Sequence, residues 1–244
     1  MNTREKIKKT IIKHSTKAIE RLIAFHEHSN AEDMHKFRIS IKKLKAISVF
    51  FTSHKKPAFT QSFLPVKTVY RQLGEIRTSQ LILEQLETHH GDAAKKEMAS
   101  LKLVNDCLLF HLRFPSIIQE LQKHFSKLNT SLRPIKKRKI KSRLYDRLEK
   151  TCNCMQKAKK NTELFHACRK KIKKILYVAE NTKTNMNLKK LDVLQDELGK
   201  LHDIQEALIF TRKDKKLALK LKKDEQTVLN RINKMPVNPA NYLK

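Results

Sequence analysis

Glycine occurs three times in 244 residues, proline six times and tryptophan never. So little turn chemistry excludes a many-stranded sheet, and with Lys, Leu and Ile dominant the chain reads as all-α. Acidic residues are scarce: 24 stand against 54 Lys and Arg, for a formal net charge of +30. That excess repels itself and opposes compaction. A polyanion is the simplest compensation: nucleic acid, an anionic surface, an acidic protein or a phosphate polymer. No run reaches the ~18–20 apolar residues of a membrane span. The opening stretch MNTREKIKKTIIKH has no apolar h-region. A soluble cytoplasmic protein with no membrane partner is expected.

Catalytic signatures are missing as well. There is no G-x4-G-K-[ST], H-E-x2-H or G-x-S-x-G, and no carboxylate cluster suited to Mg²⁺. Cys107, Cys152, Cys154 and Cys168 form no C-x2-C. Cys152 and Cys154 lie about 200° apart on a helix, so they read as reduced thiols rather than chelators. His26/His28 point apart at i, i+2, and His89-His90 has no third ligand nearby. No enzymatic activity, metal or cofactor is expected.

What the chain does have is lysine, 41 against 13 arginines. A strongly hydrated point charge favours phosphate contact over base reading. Residues 34–51, MHKFRISIKKLKAISVFF, organise the rest. On a helix His35, Arg38, Lys42 and Lys45 fall within about an 80° arc. Phe37, Ile41, Leu44, Ile47 and Phe51 lie opposite. Residues 165–182 repeat the arrangement: His166, Arg169 and Lys173 share an arc with Lys170 and Tyr177, backed by Ile172, Ile175, Val178 and Ala179. His-x2-Arg-x3-Lys-Lys thus occurs twice, 131 positions apart.

In order, the chain predicts a first helix over 3–28 with the apolar stripe Ile7, Ile11, Ala18, Leu22 and Phe25. Asn30 caps the next helix, with Asp33 favoured by its dipole. That helix runs to about His54, and a turn follows at residues 54–57, before Pro57. A third helix covers 58–88 with an irregularity at Pro65, and a fourth covers 93–126, bent or broken at Pro115. Residues 129–134 connect to helices over 135–160, 163–181, 188–212 and 214–234. The ending MPVNPANYLK reads as extended or loosely packed.

Helices one to four therefore match five to eight, with Leu73-Gly74 corresponding to Leu198-Gly199. A mid-helix glycine costs about 1 kcal/mol relative to Ala, so close helix–helix approach is its expected gain. Arg4 and Lys8 in the first helix, like Lys137 and Lys141 in the fifth, lie on the apolar side near the helix start. A buried unpaired cation is costly. These starts must therefore meet solvent, an acidic partner or an anion. The architecture expected is one domain of two pseudo-twofold-related four-helix bundles, 1–128 and 129–244, around a basic central groove.

These stretches resemble the CHAD family, the conserved histidine α-helical domain. His35, Arg38, Lys42, Lys43 and Lys45 sit where its first motif has a histidine and spaced cations. His166, Arg169, Lys170, Lys173, Tyr177 and Glu180 follow its second motif. Leu73-Gly74 with Arg77, and Leu194-Gln195 with Leu198-Gly199 and Asp203, match the segments after each. Departures are Leu176 where Arg is frequent, Thr78-Ser79 in place of acidic residues, and His202 where Asn is usual. The resemblance implies binding of inorganic polyphosphate in a basic groove and association with polyphosphate granules. The triphosphatase module fused to some relatives, with its E-x-E-x-K signature, is absent from this sequence.

The candidate contact residues are Arg4, Lys8, His35, Arg38, Lys42, Lys43, Lys45, Arg77, Lys137, Lys141, His166, Arg169, Lys170, Lys173, Lys174 and Tyr177. Asp203 and Glu180 read as groups that orient cations. Lys55-Lys56, Lys95-Lys96, Lys159-Lys160 and Lys213 to Lys223 read as solvated faces. The competing reading is a basic nucleic-acid-binding helical protein. Few aromatics and no Gly-rich loop leave it without a stacking platform for single strands.

Overall fold

The computed structural model describes residues 3–51, 63–88, 92–130, 136–182, 184–210 and 215–243; side chains 3–4, 129–130 and 209–210 are outside that description. The described residues form α1 Thr3–His28, α2 Ala31–Phe51, α3 Leu64–Thr88, α4 Ala93–Thr130, α5 Lys137–Ala158, α6 Leu164–Ala179, α7 Leu188–Phe210 and α8 Lys215–Lys234. A 3₁₀ turn, Pro239–Tyr242, follows. The fold is all-α. The chain divides into two compact units, Met1–Pro134 and Ile135–Lys244.

In the first unit α1 packs on α2 and α4, and α3 packs on the same two, closing a four-helix ring. The α1 stripe Ile7, Ile11, Ala18, Leu22 and Phe25 is buried, against Phe37, Leu44 and Ile47 of α2, Leu73 and Ile76 of α3 and Phe110 of α4 among others. Ser29, with φ 52°, ends α1. Its amide donates to the Phe25 carbonyl at 2.8 Å. Asn30 Oδ1 then accepts the Glu32 amide at 2.8 Å, capping α2. Asp33 does more than serve the helix dipole. It is buried and takes Arg21 Nη1 of α1 at 2.7 Å, pinning the two helices.

In the second unit α6 packs against α5 and α7, and α8 against α7. Ile140, Leu144 and Leu148, Cys168, Ile172 and Ile175, Leu191 and Leu198, and Val228 and Ile232 form its core.

Two expectations change, at Pro115 and at the C-terminus. Pro65 stands in the first turn of α3, where its missing N–H is no loss. The expected turn at 54–57 and the start at 58 lie outside the described residues. Pro115 does not break α4, which runs 38 residues through it; packing on α1 and α3 holds the helix across one lost backbone bond. The C-terminal stretch is not loose. Tyr242 is buried, its hydroxyl donates to the Pro236 carbonyl at 2.7 Å, and its carbonyl accepts the Asn187 amide at 2.8 Å. Met186 and Leu243 pair in an isolated antiparallel bridge. An aromatic anchor with a satisfied hydroxyl thus closes the space between α5 and α7.

Candidate functional site

The core claims Phe37, Ile41, Leu44 and Ile47 of α2, which leaves its cationic stripe on the opposite edge. His35, Lys42 and Lys45 are exposed there, while Arg38 and Lys43 are half-buried. Arg38 leans on α3. Its guanidinium carbon sits 4.6 Å from the Tyr70 ring centroid, and Nη2 is 3.5 Å from the Tyr70 hydroxyl. The same guanidinium lies across Gly74, where a Cβ would stand 2.8 Å from Nη1.

The second unit builds the same seat. Arg169 of α6 lies across Gly199 of α7, where a Cβ would stand 3.0 Å from Nη2 and 3.4 Å from Cζ. The two mid-helix glycines therefore make room for an arginine head, not for close helix–helix approach as their position first implied. A side chain, not a backbone, occupies the space the missing methyl leaves.

Beside Arg169, the His166 and His202 rings face each other with centroids 4.3 Å apart. His202 Nε2 stands 3.3 Å from Glu206 Oε1. Burial first, then Lys170, His202 and Arg169, hold the His166 pKa below the ordinary histidine value. His166 Nδ1 and Arg169 Nε are buried without hydrogen-bond partners. Lys170 and Lys174 are exposed; Lys173 and Tyr177 are half-buried.

The other candidates are placed as follows. Lys8 is half-buried on α1, and the Arg4 side chain is outside the described residues. Lys137 and Lys141 are exposed in the first turns of α5; Lys141 donates to Asn185 Oδ1 at 3.3 Å. Arg77 is half-buried and within 3.4 Å of Glu84 Oε1, which offsets its charge. Among residues read as solvated, Lys95, Lys160, Lys215, Lys216, Lys220, Lys222 and Lys223 are exposed. Lys55, Lys56 and Lys213 lie outside the described residues. Lys159, in contrast, donates to the Asn233 carbonyl at 2.6 Å.

Two basic groups escaped the sequence reading. His14 of α1 is half-buried, and burial, then Lys43, Lys13 and Lys17, push its pKa down to about 4. Arg147 of α5 is half-buried, with its pKa lowered by burial and by Arg143. The offset that relates Lys8 to Lys141 also relates position 14 to position 147. That register was a usable signal, hidden because His and Arg do not look alike.

Each unit thus presents guanidinium, ammonium and imidazole heads about one helical turn apart, roughly 5.4 Å. Such a row can donate charge-assisted hydrogen bonds to successive anionic oxygens. A cleft of about 380 Å³ between α7 and α8 carries both signs, with Lys200, Asp203, Asp224 and Arg231 on its walls. Among the described residues no group of three His, Cys, Asp or Glu is placed to hold a metal. No described helix is long and apolar enough to cross a membrane.

A family profile described as the CHAD domain matches residues 10–212. The fold is similar to a crystal structure of the CHAD domain from the plant Ricinus communis, at TM-score 0.61 and 17% identity, over 99% of this chain and 90% of that one. No curated protein matches the sequence.

Proposed function

The chain belongs to the CHAD domain family, and on that premise we propose that it is a non-catalytic binding module for inorganic polyphosphate. The observation that carries this reading is the repeated arginine seat: in each unit a guanidinium is spread over a glycine on the neighbouring helix. Structure that merely solvates a positive face has no use for a mid-helix glycine costing about 1 kcal/mol. Fixing the guanidinium in advance lowers the ordering cost of binding.

In this reading the α2 edge of the first unit and the α6 edge of the second each bind the polyanion. Arg38, Arg169 and the stripe lysines bind phosphate oxygens, and His35 and His166 add donors when protonated. Release of condensed counterions contributes entropy, as it does for nucleic acids. A polyphosphate carries no sugar or base, so a row of cations one helical turn apart can meet its phosphates without making room for either. Granule association would follow from the same affinity.

Charge reversal tests this. Arg38→Glu, Lys42→Glu, Arg169→Glu and Lys173→Glu together should abolish polyphosphate binding while helicity by circular dichroism persists. Lys215→Glu, Lys216→Glu and Lys220→Glu together should cost far less. Equal losses from both sets would reduce the reading to diffuse charge. If an RNA of equal phosphate content competes as well as polyphosphate, the named polymer is wrong.

A further inference from the structure

Helix α4 buries one face and leaves the opposite one in water, and that outer face is not polar. Met98 is 72% exposed, Leu101 63%, Leu108 54% and Leu112 70%. With the exposed Asn105 they fall at spacings of three, four, three and four, the a and d positions of a coiled-coil seam. On a helix this seam lies about 160° from buried Phe110, so α4 cannot turn it inward without exposing its core face. Val104, 62% exposed, and Leu109, 47% exposed, border the seam on opposite sides. These six apolar side chains leave roughly 600–700 Å² of surface in water, at or above the largest patch of a typical monomer.

The border residues identify the occupant. With Met98 at an a position, Glu97 and Val104 are g residues, and Lys102 and Leu109 are e residues. In a parallel two-stranded pair, g of one helix meets e of the next heptad on its partner. Glu97 would meet Lys102 of a second copy, twice by symmetry, and Val104 would meet Leu109. Asn105 would face Asn105 across the axis, the arrangement in which a lone a-position Asn fixes register. A seam that satisfies its own charges and its own apolar flanks is self-complementary, as an isologous interface requires.

Two such faces together reach the roughly 1,200 Å² at which stable interfaces begin. The net charge does not forbid it. Residues 93–114 carry four basic groups (Lys95, Lys96, Lys102, Arg113) and two acidic ones (Glu97, Asp106), an excess slightly below the chain average. Moderate salt screens the remaining repulsion. We infer that the chain forms a parallel homodimer through the exposed seam of α4. The inference does not depend on the proposed ligand.

Sedimentation velocity on the full chain in about 0.2 M salt, where the Debye length is under 10 Å, tests it without any polyanion. The wild type should sediment at twice the 28.7 kDa chain mass. Leu101→Glu with Leu108→Glu should give the monomer, with unchanged helicity because both side chains already face water. Glu97→Lys alone should weaken the dimer on the order of tenfold by setting lysine against Lys102. Adding Lys102→Glu should restore it. A wild type that stays monomeric at all accessible concentrations overturns the inference. So does a dimer that ignores the Leu101/Leu108 pair. A charge swap that fails to rescue rules out the parallel pairing. Monomeric wild type that floats with anionic vesicles through the same leucines would give the face to a lipid surface instead.

Discussion

Replacing Gly74 and Gly199 by alanine separates stability from binding. Each change removes a helix-interior glycine, worth about 0.8–1 kcal/mol to the helix. Each also puts a methyl 2.8 Å from Arg38 Nη1 or 3.0 Å from Arg169 Nη2. Ordinary contact begins near 3.4 Å, so the guanidinium must retreat by roughly half an ångström or swing away. In the first unit this weakens the stacking on Tyr70, a loss of about 0.5–1 kcal/mol. Urea unfolding should therefore show the double variant roughly 0.6–1.5 kcal/mol more stable than wild type. Polyphosphate affinity should nonetheless fall about tenfold. That is ~1.4 kcal/mol, less than the 1.5–3 kcal/mol that one charge-assisted hydrogen bond contributes. A double-mutant cycle sharpens the point. On an Arg38→Lys, Arg169→Lys background there is no guanidinium to displace, and the glycine changes should weaken binding no further. Additive losses, or unchanged affinity in Gly74→Ala/Gly199→Ala, would refute the argument that the glycines serve the arginines.

Other expectations follow from single groups. Folded His14 titrates near 4 rather than 6.5, so the unfolded chain binds its proton first; the associated stability is full above pH 6.5 and is lost as pH falls toward 4. His14→Gln should flatten that stretch of a stability–pH curve by on the order of 2 kcal/mol; an unchanged slope would show the site is not buried in solution. Polyphosphate affinity should rise as pH falls, and because the His166 pKa is lowered, the part lost in His166→Gln should appear below pH 6.5. Identical pH profiles for both proteins would remove His166 from the site. Tyr242→Phe should cost about 1 kcal/mol for the bond to the Pro236 carbonyl, and Tyr242→Ala about 3–5 kcal/mol, both read by urea unfolding; no loss in either would mean the C-terminal turn is not docked.

The α1 stripe and the α2 and α6 core faces were legible in the sequence because a 3.6-residue period leaves apolar residues nowhere else to go. The repeated His-x2-Arg-x3-Lys-Lys marked the two cationic edges for the same reason. Asn30 was legible as a cap from its short side chain alone. The break that Pro115 suggested is absent because local rules rate a proline against an isolated helix, and neighbouring helices hold α4 together across it. The C-terminal stretch was misread because its few apolar residues show no period, and Tyr242 finds its site only once α5 and α7 are assembled.

The sequence by itself determined an all-α chain of excess positive charge, with cations and core on opposite faces of two repeated helices. Those are properties of composition and of one helix at a time. Tertiary structure decided what the glycines are for, which imidazoles are pressed together, and which face of α4 goes uncovered. Each of those depends on the side chain a neighbouring helix brings, and a period within one helix carries no record of its neighbour.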